Sequence, residues 1–230
     1  MIKQYPLPLP HKDAMAADDF MITSSNQEAA AWLDKWPAWP AHCLVLHGPS
    51  GSGKTHLLHV WCAKSKGMLI TREQLLEQNA DQLAEINCNI ALDNADQCAG
   101  DAAAEEALFH LYNFLRENKG HLLLASVKAP AQWMIKLPDL RSRLLSIQAI
   151  PITAPDDDLI TALIIKQFKD RQIDISMDVV NYLLSRVTRT PQSVRETVQA
   201  LDRASLSEGR GITVALARKL LEHQSFPNSN

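Results

Sequence analysis

The stretch from Gly48 to Thr55 reads GPSGSGKT and matches the pattern G-x-x-x-x-G-K-[ST] at every fixed position. Glycines suit this spacing because a Cβ atom would stop backbone N–H groups from turning inward around a phosphate. An apolar run precedes the stretch and a helical segment follows it, so the helix points its positive dipole end at the same anion. We therefore expect a phosphate-binding loop (P-loop) whose nucleotide contacts come from Ser50, Gly51, Ser52, Gly53, Lys54 and Thr55.

The sequence of the loop also predicts that a Mg²⁺ ion binds beside it. Lys54 is at the position that reaches the β- and γ-phosphates, and Thr55 is at the position whose hydroxyl ligates Mg²⁺. An apolar run from Ile90 ends in Asp93, and a carboxylate in that place emerges from the sheet edge beside the P-loop. We therefore expect ATP or ADP with Mg²⁺, and Thr55 and Asp93 as the Mg²⁺ partners. The next residue, Asn94, cannot act as a base, so we expect slow intrinsic hydrolysis.

The elements that must hold these residues alternate between strands and helices. Apolar, strand-like runs occur at 43–47, 68–71, 89–93, 122–126 and 147–152. Helical patterns fill the intervals, including 53–65, 72–86 and 102–118. This alternation predicts an α/β fold with a parallel sheet covered on both faces by helices.

The character of the chain changes after Pro155. Helical periodicity continues at 156–171, 177–187, 191–208 and 213–223, and no further strand is predicted. We expect a Pro-rich segment at 1–12, an α/β nucleotide-binding domain at 13–153, an all-helical subdomain at 154–225 and a tail at 226–230.

Composition narrows the classes of partner. The net charge of −3 counts against strong direct binding of duplex DNA, which needs a basic face. The amino terminus has no apolar signal region and no run has the length of a membrane span, so we expect no membrane partner and a cytoplasmic location. Cys43 and Cys88 lie in or beside apolar runs, which predicts buried free thiols.

The order of motifs resembles the AAA+ ATPases, and among them the ATPase module of the DnaA family. The resemblance covers about residues 14–225 and rests on the P-loop, Asp93, the strand ending at Ser126, and the sequences SRL at 142–144 and VRE at 194–196. The segment from Phe20 to Asn26 is similar to the one that precedes the P-loop in that family. The resemblance implies an AAA+ P-loop NTPase with a parallel sheet flanked by helices and a C-terminal all-helical lid.

The resemblance also implies roles for individual residues. Arg143 matches the arginine finger, which reaches the nucleotide of a neighbouring subunit, and Arg195 matches the sensor-2 arginine of the lid. Ser126 is at the sensor-1 position. His56, which follows the P-loop threonine, and Asn26, near the base, complete the implied nucleotide-binding set.

Within that family the chain looks like the Hda group of short regulators. It ends where DnaA continues into a DNA-binding domain, and Asp93–Asn94 resembles the Hda Walker B. Gln4, Leu7 and Leu9 match the anchors of a clamp-binding peptide. The resemblance implies two partners, DnaA and the DNA polymerase sliding clamp, and a bacterial protein held near the nucleoid through the clamp. A homo-oligomer is left open.

Two other functions fit part of the pattern. A P-loop kinase is the enzymatic alternative, although such kinases usually carry a short Arg-rich lid inside the α/β core. A loader or adaptor that binds single-stranded DNA is the second alternative, and the acidic composition counts against it.

Overall fold

The structure is a computed structural model that describes residues 21–78, 82–83 and 87–224. The predicted clamp-binding anchors Gln4, Leu7 and Leu9 and the predicted tail at 226–230 lie outside the described residues.

The described residues form one parallel sheet of five strands in the order β2-β3-β4-β1-β5. The strands are β1 (Cys43–His47), β2 (Met68–Ile70), β3 (Asn89–Leu92), β4 (His121–Ser126) and β5 (Gln148–Pro151). His47 of β1 is level with Ser126 of β4 and with Pro151 of β5. The predicted parallel α/β architecture is confirmed, with strand ends shifted by at most one residue.

The helices also follow the predicted order. In the α/β part they are α1 (Gln27–Asp34), α2 (Lys54–Ser65), α3 (Arg72–Glu77), α4 (Ala102–Glu117) and α5 (Pro138–Ser146). The helical part contains α6 (Asp157–Lys169), α7 (Met177–Leu184), α8 (Pro191–Glu208) and α9 (Val214–Gln224).

The helical segment predicted at 72–86 is interrupted at Gln78. A capping box between Thr71 and Gln74 starts α3, but the helix ends at Glu77 because Gln78 adopts an extended conformation, with φ −111° and ψ 133°. Gln82 and Leu83, further along, are helical again, and Leu83 is fully buried in the core.

Alternate residues of each strand face opposite sides of the sheet, as the strand period requires. In β1, Val45 packs into the core under α3, α4 and α5, whereas Leu44 and Leu46 pack into the core under α1 and α2. A third cluster, centred on Phe168, belongs to the helices that follow residue 156. Both faces of the sheet are therefore covered, and the helical part has a core of its own.

The segment before α1 fastens the junction between the two parts. The backbone N–H of Thr153 donates to the carbonyl of Ser25 at 3.1 Å. The hydroxyl of Ser24 donates to Asp156 Oδ2 at 2.8 Å, while Asp156 Oδ1 caps α6 by accepting from the N–H of Leu159. The junction is thus held by two side chains and one backbone pair.

The cysteines divide by exposure. Cys43 and Cys98 are buried, Cys62 is half-buried, and Cys88 is exposed, all as free thiols. The prediction that Cys88 is buried is wrong because this residue precedes the first residue of β3. Burial raises the pKa of Cys62 to about 11 and, as the largest of several effects, that of Cys98 to about 11. Among the described residues, no helix combines the length and apolarity needed to cross a bilayer.

A buried carboxylate connects the end of the β3 turn to the loop that leads into α5. Glu105 of α4 is 1% exposed and accepts from the backbone N–H groups of Gly100, Lys136 and Leu137 at 2.7–3.0 Å. Burial raises the pKa of this carboxyl, but the three backbone donors and the Lys136 ammonium lower it by more, so the pKa lies below its usual range.

We predict that Glu105→Gln lowers the free energy of unfolding by about 2 kcal/mol, since hydrogen bonds to a charged group are lost. Urea titration at neutral pH measures this value. The carboxyl pKa is depressed in the fold, so the effect is full above the ordinary Glu pKa and shrinks as pH falls through the folded value. Glu106→Gln, at an exposed neighbour, is the control and should be nearly neutral; equal loss in both variants would contradict the prediction.

Candidate nucleotide-binding site

The P-loop begins at the carboxyl end of β1, the strand between β4 and β5. The N–H of Gly48 donates to the carbonyl of Ser126 at 3.2 Å, and the N–H of Ile152 donates to the carbonyl of His47 at 2.7 Å. A Cβ on Gly48 would lie 2.0 Å from the carbonyl oxygen of Ile152, so only glycine permits this approach. The loop is therefore held between the ends of two neighbouring strands, where ligands of open α/β sheets bind.

The curve of the loop depends on two left-handed glycines. Gly51 has φ +75° and Gly53 has φ +94°, a region that L side chains rarely adopt. Gly53 is the N-cap of α2 and provides no side chain, so no side-chain oxygen caps the first N–H groups of the helix. Those N–H groups are available to an anion at the amino terminus of α2.

Lys54, the first residue of α2, is buried and points into the loop. Its Nζ donates to the carbonyl oxygens of Gly48 and Pro49, each at 2.8 Å. Burial lowers the pKa of Lys54, and the charges of Asp93 and Asp96 oppose that shift without cancelling it. The loop therefore encloses a positive charge next to the N–H groups that would face a phosphate.

Thr55 and Asp93 lie together, as predicted. The hydroxyl of Thr55 donates to Asp93 Oδ2 at 2.6 Å, and Asp93 Oδ1 accepts from the N–H of Asn94 at 2.8 Å. A hydroxyl and a carboxylate are oxygen ligands of the kind Mg²⁺ takes together with phosphate oxygens and water. Among the described residues, no group of three His, Cys, Asp or Glu side chains is placed to hold a metal. The role of Thr55 and Asp93 toward Mg²⁺ stays a prediction.

Comparisons with known proteins agree with this geometry. Residues 156–221 match the family model described as Hda, lid domain. Domain III of the Thermotoga maritima replication initiation protein DnaA aligns with a TM-score of 0.79 at 20% identity, over 95% of this chain and 100% of that domain. AMPPCP-bound DnaA from Aquifex aeolicus aligns with a TM-score of 0.74 at 18% identity, over 93% of this chain and 71% of that one.

This chain shares its fold with DnaA domain III, and its residues 156–221 match the lid domain of the Hda family. The Thermotoga maritima RuvB Holliday junction branch migration motor shares the fold more distantly, with a TM-score of 0.66 at 16% identity, over 86% of this chain and 68% of that one. The predicted AAA+ fold class, a parallel sheet flanked by helices with a C-terminal helical lid, is confirmed.

Several predicted nucleotide contacts have local partners. Asn26 is buried, and its side-chain amide accepts from the N–H of Thr23 and donates to the carbonyl of Met21. Ser126 is fully buried and donates to the carbonyl of Lys128. Ser52 is buried in the P-loop, whereas Ser50 is exposed and His56 half-buried. Their roles toward a nucleotide, Asn26 at the base included, stay predictions.

The two arginines with predicted roles lie on different elements. Arg143 is exposed in the last turn of α5, and its guanidinium makes no hydrogen bond or ion pair with any described residue. Arg195 is exposed on α8, within the residues that match the Hda lid domain. The structure therefore places neither arginine inside the P-loop itself.

Sequence reasoning missed Asp96, which lies in a 3₁₀ turn just after Asn94. Its Oδ2 accepts from the N–H of Val127 at 3.2 Å, at the end of β4. Its Oδ1 is buried and has no hydrogen-bond partner among the described residues. Asp96 thus adds a second carboxylate to the edge that carries Asp93, and the short spacing between the two was the signal available in the sequence.

We predict that Thr55→Val removes most of the Mg²⁺ dependence of nucleotide binding, because valine keeps the shape but has no oxygen ligand. Titration of a fluorescent ATP analogue with and without Mg²⁺ should show the Mg²⁺-induced gain in affinity falling at least about 10-fold. Thr55→Ser, which retains the hydroxyl, should keep that gain. An unchanged gain in Thr55→Val would rule out Thr55 as a Mg²⁺ partner.

Proposed function

We propose that this protein is a DnaA-related regulator of replication initiation. It binds ATP or ADP with Mg²⁺ in the P-loop and docks on the DNA sliding clamp through Gln4, Leu7 and Leu9. It then presents Arg143 to ATP bound by DnaA, and so stimulates hydrolysis in the partner. The match of the lid to the Hda family model and the DnaA-like fold support this role.

The observation that carries the proposal is the position of α5. Leu140 and Leu144 pack this helix into the core on one face of the sheet, whereas Leu57 and Leu58 of α2 pack on the other face. The helix of Arg143 and the helix of the P-loop therefore lie on opposite faces. This separation favours an arginine that acts on a neighbour's nucleotide over one that acts on the nucleotide of its own P-loop.

To stimulate phosphoryl transfer, Arg143 needs only to bring its positive charge to the nucleotide. Phosphoryl transfer depends on placing positive charge where negative charge builds up in the transition state, and an arginine supplied by a neighbour contributes on the order of 10³-fold or more. An exposed guanidinium that makes no hydrogen bond or ion pair in the described part of the chain can make that contact. Asn94, whose side chain is an amide, supplies no base to the protein's own site.

The nucleotide part of the proposal has separate support. The Aquifex aeolicus DnaA was solved with AMPPCP bound, and it shares the fold of this chain. Lys54, the helix N–H groups and the Thr55–Asp93 pair provide the charge and the oxygen ligands that a Mg²⁺ nucleotide needs. We infer that the bound nucleotide contacts Arg195 and sets the angle of the lid, and hence the surface offered to DnaA.

We predict that Arg143→Ala abolishes the stimulation of DnaA. Clamp loaded on DNA, ATP-bound DnaA and this protein are mixed, and hydrolysis of the DnaA-bound ATP is followed by phosphate release. The wild type should accelerate hydrolysis, Arg143→Ala should return it to the rate of DnaA alone, and the regulator alone should turn over slowly. Arg141→Ala, at an exposed arginine on the same helix, is the matched control and should stimulate fully. No acceleration by the wild type would refute the proposal.

We predict that Gln4→Ala weakens retention by the sliding clamp, because the glutamine is one of three anchors of the docking peptide. A pull-down with immobilised clamp compares it with the wild type and with Lys3→Ala, which changes a neighbouring non-anchor residue. Equal retention of all three proteins would remove residues 4–9 from the proposed clamp contact.

A further inference from the structure

Thr190, the N-cap of α8, has a side chain whose orientation is fixed by the helix that it starts. Its Oγ1 accepts from the N–H of Ser193 at 3.1 Å, and Pro191 occupies the first helical position. A β-branched side chain is stiff at χ1, so once the hydroxyl is held the methyl group has one direction. The capping bond therefore determines where the Thr190 methyl points.

That methyl group faces the P-loop. A Cβ placed on Gly51 would lie 2.4 Å from Thr190 Cγ2 and 2.9 Å from Thr190 Cβ. At Gly53, by contrast, an added Cβ would meet nothing within 4 Å, so that glycine is required by its φ of +94° alone. Gly51 is thus required twice, by its left-handed backbone and by the lid residue packed directly on it.

The contact between Thr190 and Gly51 is a second connection between the lid and the α/β domain. The first is the junction at Thr153 and Asp156, which is bonded to the segment before α1. Arg189, next to Thr190, pairs with Asp157 of α6 at 2.7 Å and joins the start of α8 to the start of α6. The lid is therefore supported at its hinge and at Gly51.

Arg195 lies on the same helix as Thr190, five residues further along. At a rise of about 1.5 Å per residue, about one and a half turns separate the two, and a packed helix moves as one body over that length. A change in the backbone around Gly51 as the loop encloses a phosphate would therefore be carried by the Thr190 methyl to α8 and to Arg195.

We propose that Thr190 is a positioning residue that couples phosphate binding in the P-loop to the position of Arg195. Its methyl group seats α8 on Gly51, and its hydroxyl keeps the methyl in place by capping the helix. This inference rests on the proposed function, which assigns Arg195 to the protein's own bound nucleotide.

The test separates the methyl from the hydroxyl. Thr190→Ser keeps the capping oxygen and removes the methyl, whereas Thr190→Val keeps the shape and removes the cap. Stopped-flow release of a fluorescent ADP analogue should be about 4-fold faster in Thr190→Ser, a factor in keeping with one buried methyl group, with only a small loss of thermal stability. Thr190→Val keeps a methyl but loses the bond that orients it, so it should be less stable than Thr190→Ser and should release nucleotide at a rate between those of the wild type and Thr190→Ser. Thr188→Ser removes a methyl from an exposed threonine of the same loop and should match the wild type.

A double-mutant cycle with Arg195→Ala completes the experiment. If Thr190 acts through Arg195, the Thr190→Ser substitution should have no further effect on release once Arg195 is alanine. Equal acceleration in both backgrounds would overturn the coupling, as would unchanged release in Thr190→Ser. Unchanged release in Arg195→Ala would reject the proposed contact of Arg195 with nucleotide. Faster release in Arg195→Ala but not in Thr190→Ser would reject only the present inference.

Discussion

The buried ammonium group of Lys54 holds the P-loop in shape, because it donates to the carbonyl oxygens of Gly48 and Pro49 from inside the curve. A buried charge is costly unless it is hydrogen-bonded and opposed by charge of the other sign. Here the opposition comes from Asp93 and Asp96, whose charges raise the pKa of the lysine against the effect of burial. The parallel sheet makes this possible, since it brings the carboxyl ends of β1, β3 and β4 to one edge.

The two faces of the sheet support different parts of the molecule. The face under α2 supports the P-loop, and the face under α4 and α5 supports Arg143 through Leu140 and Leu144. Glu105 accepts hydrogen bonds from three backbone N–H groups and so fixes the loop before α5, the helix that carries Arg143. The P-loop and Arg143 are therefore supported from opposite faces of the same sheet.

Local patterns predicted most of the fold. The strand around Val45 and the helix from Pro191 to Glu208 were predictable because their periodicity or apolar run is continuous and their ends carry glycine, proline or a capping residue. The errors lie just outside the ends of elements, where the pattern continues but the backbone does not. Gln78 leaves the helical conformation although the sequence continues helically, and Cys88 is exposed although an apolar run follows it.

In the candidate site too, some features follow from the sequence and others depend on the tertiary structure. The residue types of the P-loop, the Thr55–Asp93 pair and the absence of a base at residue 94 follow from the sequence, because each depends on a contiguous motif whose backbone chemistry is local. The unpartnered oxygen of Asp96 and the contact of Thr190 with Gly51 do not. These depend on the order of strands and on the seating of the lid, which bring together residues far apart in the chain, and no local pattern encodes which side chains meet there.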